Sequence, residues 1–195
     1  MAQKATHHLS AARYDVPAQY VNEVGRIVVR FTYFEHYLQA IIWDLARVDQ
    51  SVGRLTIRSL AVGESIDLIR DLFALRGMSI KSEMILSFRA RALEISRRRD
   101  LLVHGAWLRG ADRRWRVIKI KIEGSHNALS PDMKDQSKQP AMTVKIDELR
   151  AIASGIDTLI KWARSLLASV RKSTAQRALP ASMPSRPDAD PSRQR

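Results

Sequence analysis

Not one of the 195 residues is cysteine. Disulfide frameworks, zinc ribbons and thiol nucleophiles are therefore excluded, and nothing calls for an oxidising compartment. Proline is scarce too, and four of its seven copies, Pro180, Pro184, Pro187 and Pro191, fall at the very end of the chain. No stretch approaches the roughly 18 uninterrupted apolar residues that a membrane-spanning helix needs. Met1 to Asp15 carries Lys4, His7, His8 and Arg13 and lacks the apolar run of a secretion signal. These absences lead us to expect a cytoplasmic protein with no membrane association. Histidines are few and scattered, with His36, His104 and His126 far apart and no His-x-x-x-His pair. We expect no bound metal and no cofactor.

What the chain has in excess is positive charge, with 33 Lys and Arg against 20 Asp and Glu, a net +13 and a pI near 10.7. Residues 89–121 concentrate it: eleven Arg and Lys (among them Arg97, Arg98, Arg99, Arg109, Arg114 and Arg116) face only Glu94, Asp100 and Asp112. Such a segment reads either as a solvated Arg-rich face or as a footprint for a polyanion, because phosphates release counterions when basic groups replace them. A 45 % hydrophobic composition at this length suits one ordinary domain with its own core.

Periodicity organises that domain. From Pro17 to about Arg47, with Asp15 as a cap, apolar residues recur at three-to-four spacing (Val24, Ile27, Phe31, Phe34, Leu38, Ile41, Leu45), which predicts a long amphipathic helix. A short helix around Val52 to Leu60 follows, and after Gly63 a second over Ser65 to Arg76, stopped by Gly77. From about Lys81 a longer helical pattern (Met84, Ile85, Phe88, Ala92, Ile95, Leu102) runs to Val103, with Gly105 as a left-handed terminator. Trp107-Leu108 and Trp115 to Ile122 predict a hairpin, and Met142 to Ile146 a third strand after a loop. Asp147 is placed to cap a last helix through Val170. The expected fold is mainly α: an antiparallel helical bundle with a β-hairpin or three-stranded insertion before the last helix. Its parts are a mobile arm (1–15), a helical domain (16–172, insertion about 106–146) and a disordered basic, Pro-rich tail (173–195).

The segment Arg99-Asp100-Leu101-Leu102-Val103-His104-Gly105 ends the penultimate long helix. Spacing alone does not single it out. Arg97 and Arg98 also pair with His104 in a permissive Arg-x(4 to 6)-His pattern, and Arg30 pairs with His36. Asp100 directly after Arg99, the Leu-Leu-Val run and the following glycine set this copy apart. With that context the chain resembles the HEPN superfamily, whose motif is Arg, then usually a polar residue, then three residues and His. The likeness extends diffusely to Phe31–Leu38 and to the helix from Asp147, across roughly residues 17–172.

The resemblance implies a homodimer of helical bundles whose two motifs meet in one cleft. It implies metal-independent RNA cleavage, often in toxin or anti-phage roles and alongside an antitoxin or regulatory protein, although some members only bind. The residue types suit that chemistry. An imidazole moves protons near neutral pH, and a guanidinium grips two phosphoryl oxygens. His104 is assigned proton transfer and Arg99 the phosphate, giving 2',3'-cyclic phosphate and 5'-hydroxyl ends. Five residues at about 100° each leave Arg99 and His104 about 140° apart on one helix. Asp100, four residues before His104, is placed to orient the imidazole, while Arg99 reaches round or serves the second protomer. Glu35 on the first helix is a further polar candidate, and Arg97, Arg98, Arg109, Arg114 and Arg116 are candidate RNA contacts.

Bland readings stand beside these. His104 can simply pack near Trp107, Arg99 can belong to a basic face, and Glu35 can be a surface residue. Two other functions stay open: a non-catalytic HEPN-like dimer that binds RNA, a nucleotide or a protein, and a DNA-binding helix-turn-helix over residues 52–76. The latter is disfavoured by the acids Glu64, Asp67 and Asp71 on its second helix.

Overall fold

In the computed structural model the described residues are 16–56, 60–110, 112–118 and 142–178. The long first periodicity forms α1 (Ala18–Ala46), whose buried stripe runs Ile27, Phe31, Phe34, Leu38, Ile41, Ile42 and Leu45. Asp15, expected as its cap, lies outside the described residues. The helix instead starts behind Pro17, whose fixed φ suits a helix entry and whose carbonyl accepts from Tyr20 N–H at 2.8 Å. α2 (Gln50–Thr56) is opened by the Asp49 carboxylate, which accepts from the N–H groups of Ser51 and Val52 at 2.8 and 3.0 Å. Gly53 is buried there, and a Cβ in its place would stand 2.4 Å from Nε1 of Trp43.

α3 (Val62–Leu75) begins one residue before Gly63, so Gly63 is a buried helical residue and not a separator. Its start is stabilised by Glu64, whose carboxylate takes the Ala61 N–H at 2.9 Å. Gly77, with φ +60°, ends the segment as expected. α4 (Ser82–His104) buries Ile85, Phe88, Ala92, Ile95 and Leu102. Gly105 terminates it in an extended conformation, φ −81° and ψ 157°, not the left-handed one anticipated. The glycine is needed for closeness: a Cβ would lie 2.4 Å from Leu101 O, 2.4 Å from Cγ1 of Val117 and 2.9 Å from Ile118 O.

The chain then turns into β1 (Ala106–Arg109), pairs back as β2 (Trp115–Ile118), and adds β3 (Met142–Val144) on the far side. The sheet is antiparallel with order β1-β2-β3, Trp107 opposite Val117 and Arg116 opposite Thr143. The expected continuation of the second strand to Ile122 lies outside the described residues. The third strand stops at Val144, short of Ile146, because Lys145 N–H is already taken by Glu148 at 3.2 Å as a helix begins.

That helix is α5 (Ile146–Ala178), and Asp147 sits inside its first turn and does not cap it. The helix also runs past Lys172, where a disordered tail was expected. No glycine or proline falls between Lys172 and Pro180, and Val170 is fully buried, so the helix continues to Ala178. α1 packs most extensively on α5 and next on α3, with α4 touching α1, α3, α5 and β2. Phe88 stacks on Trp162 at 3.7 Å between ring centres and meets Phe34 edge-on. The fold is thus mainly helical, with a small antiparallel sheet before the last helix, and no helix among the described residues is long and apolar enough to cross a membrane.

Candidate active site

Helical spacing puts Arg99 where an apolar side chain belongs. Ile85, Phe88, Ala92, Ile95 and Leu102 form the core stripe of α4, and Arg99 fills the one position missing from it. Its side chain keeps only 22 % of its exposure. The guanidinium carbon lies 4.6 Å above the centre of the Phe31 ring on α1, a cation–π contact. One terminal nitrogen donates to Asp100 at 2.7 Å and the other to Glu35 at 3.2 Å. A half-desolvated cation is therefore matched by two carboxylates and an aromatic face.

Glu35 belongs to the same cluster. On α1 it sits at the seam where the core stripe, with Phe31 and Ile42, gives way to the outer surface. Burial pushes its carboxyl above the ordinary value of 4.5; Arg99 opposes that shift, Asp100 reinforces it, and His36 opposes it. The sequence therefore pointed to Glu35 only as an extra polar group, whereas the structure makes it the interhelical partner of Arg99. The register of the α4 stripe, with a gap between Ile95 and Leu102, is the sequence signal that marks position 99 as a core position, which the reading of Arg99 as a basic-face residue missed.

His104 is the last residue of α4 and is exposed. Among the described residues its imidazole makes no hydrogen bond, and the Asp100 carboxylate accepts from Arg99. The structure thus gathers Arg99, Asp100 and Glu35 at the α4–α1 contact; His104 lies around the helix from Arg99, and Asp100, though one turn before it on the same face, bonds Arg99 and not the imidazole expected of it. Trp107 is held nearby in the fold, its Nε1–H donating to Leu102 O at 3.0 Å and its ring meeting Tyr20 edge-on.

The other arginines divide in two. Arg97 and Arg98 lie on the exposed face of α4, Arg98 paired with Glu94 at 2.7 Å. Arg109, Arg114 and Arg116 share the outer end of the β1–β2 hairpin. There Asp112 holds Arg116 at 2.9 Å, and its carboxyl is lowered chiefly by the hydrogen bond from Arg114 N–H. Arg97 and Arg109 are exposed and have no ion-pair partner among the described residues.

Beside Glu35, a pocket of about 330 Å³ opens between α1 and the start of α3, lined by Thr32, Glu35, His36, Gln39, Leu60 and Ser65 among others. Thr32, Gln39 and Ser65 carry no motif, and only the fold brings them together. Among the described residues, no three His, Asp or Glu side chains form a group that could hold a metal ion. No family model, curated protein or solved structure matches the chain.

Proposed function

We propose that the protein is a metal-independent endoribonuclease of HEPN type, acting in the cytoplasm as a homodimer, with toxin or anti-phage defence as its setting. The observation that carries the reading is Arg99: a cation spent at a core position of α4, within five residues of an exposed imidazole at the same helix end. A guanidinium so held is preorganised to receive a phosphate, and electrostatic preorganisation is what stabilises a phosphoryl transition state. Within the reading, Arg99 takes the scissile phosphate and His104 transfers the proton, while Asp100 and Glu35 fix the guanidinium. The 2'-hydroxyl of the substrate attacks phosphorus, the bond to the 5' oxygen breaks, and that oxygen leaves with a proton. The separation of Arg99 and His104 around α4 is the reason for a dimer, in which one protomer's arginine and its partner's histidine complete each site.

A second reading has its own support. Both terminal nitrogens of Arg99 are already engaged, by Asp100 and Glu35, as in a structural clamp between α4 and α1. That arrangement suits a non-catalytic dimer that binds RNA, a nucleotide or a protein through the basic surface. End-labelled RNA incubated with the protein in excess chelator decides between them. The nuclease gives 2',3'-cyclic phosphate ends, and Arg99→Ala and His104→Ala each lose about 100-fold or more in rate while His104→Ala keeps its RNA affinity. Intact RNA with every protein sample would leave only the binding reading.

A further inference from the structure

The pocket beside Glu35 has a composition that the cleavage chemistry does not explain. Its walls combine apolar side chains, Leu38, Leu60 and Val62, with polar ones able to read a hydrogen-bonding edge. Ser65 is only 5 % exposed, yet its hydroxyl has no hydrogen-bond partner among the described residues. The hydroxyl is not sealed from solvent, since among the described residues the buried side-chain atom without a partner is Trp43 Nε1, and the Ser65 hydroxyl is therefore a group that a ligand in the pocket can reach. The Gln39 amide and the His36 imidazole line the same pocket and are also without hydrogen-bond partners among the described residues. Glu35 accepts from Arg99 through one carboxylate oxygen, Oε1, which leaves Oε2 for a second donor.

We propose that this pocket takes one unpaired nucleobase adjacent to the phosphate held by Arg99, and thereby sets a base preference; the inference rests on the endoribonuclease reading. About 330 Å³ lies at the small end of ligand pockets and suits a single base, not a helix. The Glu35–Arg99 contact of 3.2 Å places the base site and the phosphate site side by side. Gln and Glu side chains read base edges through paired donors and acceptors, and the exposed Leu60 side chain supplies apolar surface for a ring face. Because a duplex hides those edges in base pairs, the pocket selects single-stranded RNA. The free Oε2 of the Glu35 carboxylate is an acceptor for an exocyclic amine or a ring N–H of the base.

The test uses four fluorescein-labelled tetranucleotides, all-A, all-C, all-G and all-U, with 2'-O-methyl groups so that none can be cleaved. Anisotropy titrations on the wild-type protein should show one base favoured roughly tenfold. Gln39→Ala and Ser65→Ala should each shrink that preference to about threefold or less, leaving the weakest tetranucleotide bound as before through its phosphates. Gln39 is partly exposed, so its variant keeps the fold even if Ser65→Ala does not. Equal affinity for all four, or a preference untouched by Gln39→Ala, overturns the proposal. Cleavage of the 2'-hydroxyl versions is followed in parallel. Cutting without base preference removes the pocket inference alone, and base-selective binding without cutting removes the nuclease reading alone.

Discussion

At the scale of single residues, Arg99 and Glu35 are a matched pair of costs. Each gives up hydration at the α1–α4 contact and is compensated by the other; Arg99 is compensated further by Asp100 and the Phe31 ring, whereas Asp100 adds to the cost of the Glu35 charge. The direction of the Glu35 shift gives a pH test. Since its carboxyl is raised above 4.5, the folded protein holds that proton more tightly than the unfolded chain does. The burial penalty is absent at low pH and sets in as pH rises from 4.5 through the raised value. Urea midpoints of wild type and Glu35→Gln, measured from about pH 4 to about pH 7, should therefore diverge, with wild type losing ground as pH rises. A difference that stays constant across that range contradicts the burial assigned to Glu35. The motif Arg99-Asp100-x3-His104 was legible in sequence, but the engagement of Arg99 with Glu35 and Phe31 was not. It joins residues 64 apart in the chain through a helix crossing that local pattern does not specify.

At the scale of elements, apolar periodicity located the long helices, and strand alternation with turn residues located the insertion before the last of them, because burial on one face writes a repeat into the sequence. The ends were less legible because they depend on contacts with other elements. Gly105 is the clearest example. A glycine after a helix suggests a left-handed turn, yet here it is extended and clears space for Val117 and the backbone of Ile118. With φ at −81°, alanine is conformationally acceptable, and in open space it would stabilise by restricting the unfolded chain. The crowding reverses that sign. Gly105→Ala should lower unfolding free energy by about 1–3 kcal/mol in urea denaturation, and a variant as stable as wild type would show the β-sheet to sit less closely on the end of α4. Likewise α5 outran its expected end because Val170 has a core to bury against, whereas composition alone had marked the tail from residue 173.

At the scale of the whole molecule, the features that point to a partner are charge and one helix face. The net +13 is heaviest over residues 89–121, which include the end of α4 and the hairpin that follows it. α1, besides its core stripe, presents Val29 and Tyr33 more than half exposed on its opposite side, and Val21 and Val28 on the flank that also carries Glu35. An apolar surface beside Glu35 suits a second copy of the chain, and a second copy brings a second His104. Mixing two inactive proteins tests this most directly. If Arg99 of one protomer works with His104 of its partner, Arg99→Ala and His104→Ala proteins are each inactive alone. After co-refolding in equal amounts, half the dimers are mixed and each carries one intact site, so RNA cleavage should return to about a quarter of the wild-type rate. A mixture no more active than its two components, beside a wild-type protein that cleaves, would contradict the shared site, and a wild type that leaves RNA intact would contradict the nuclease itself.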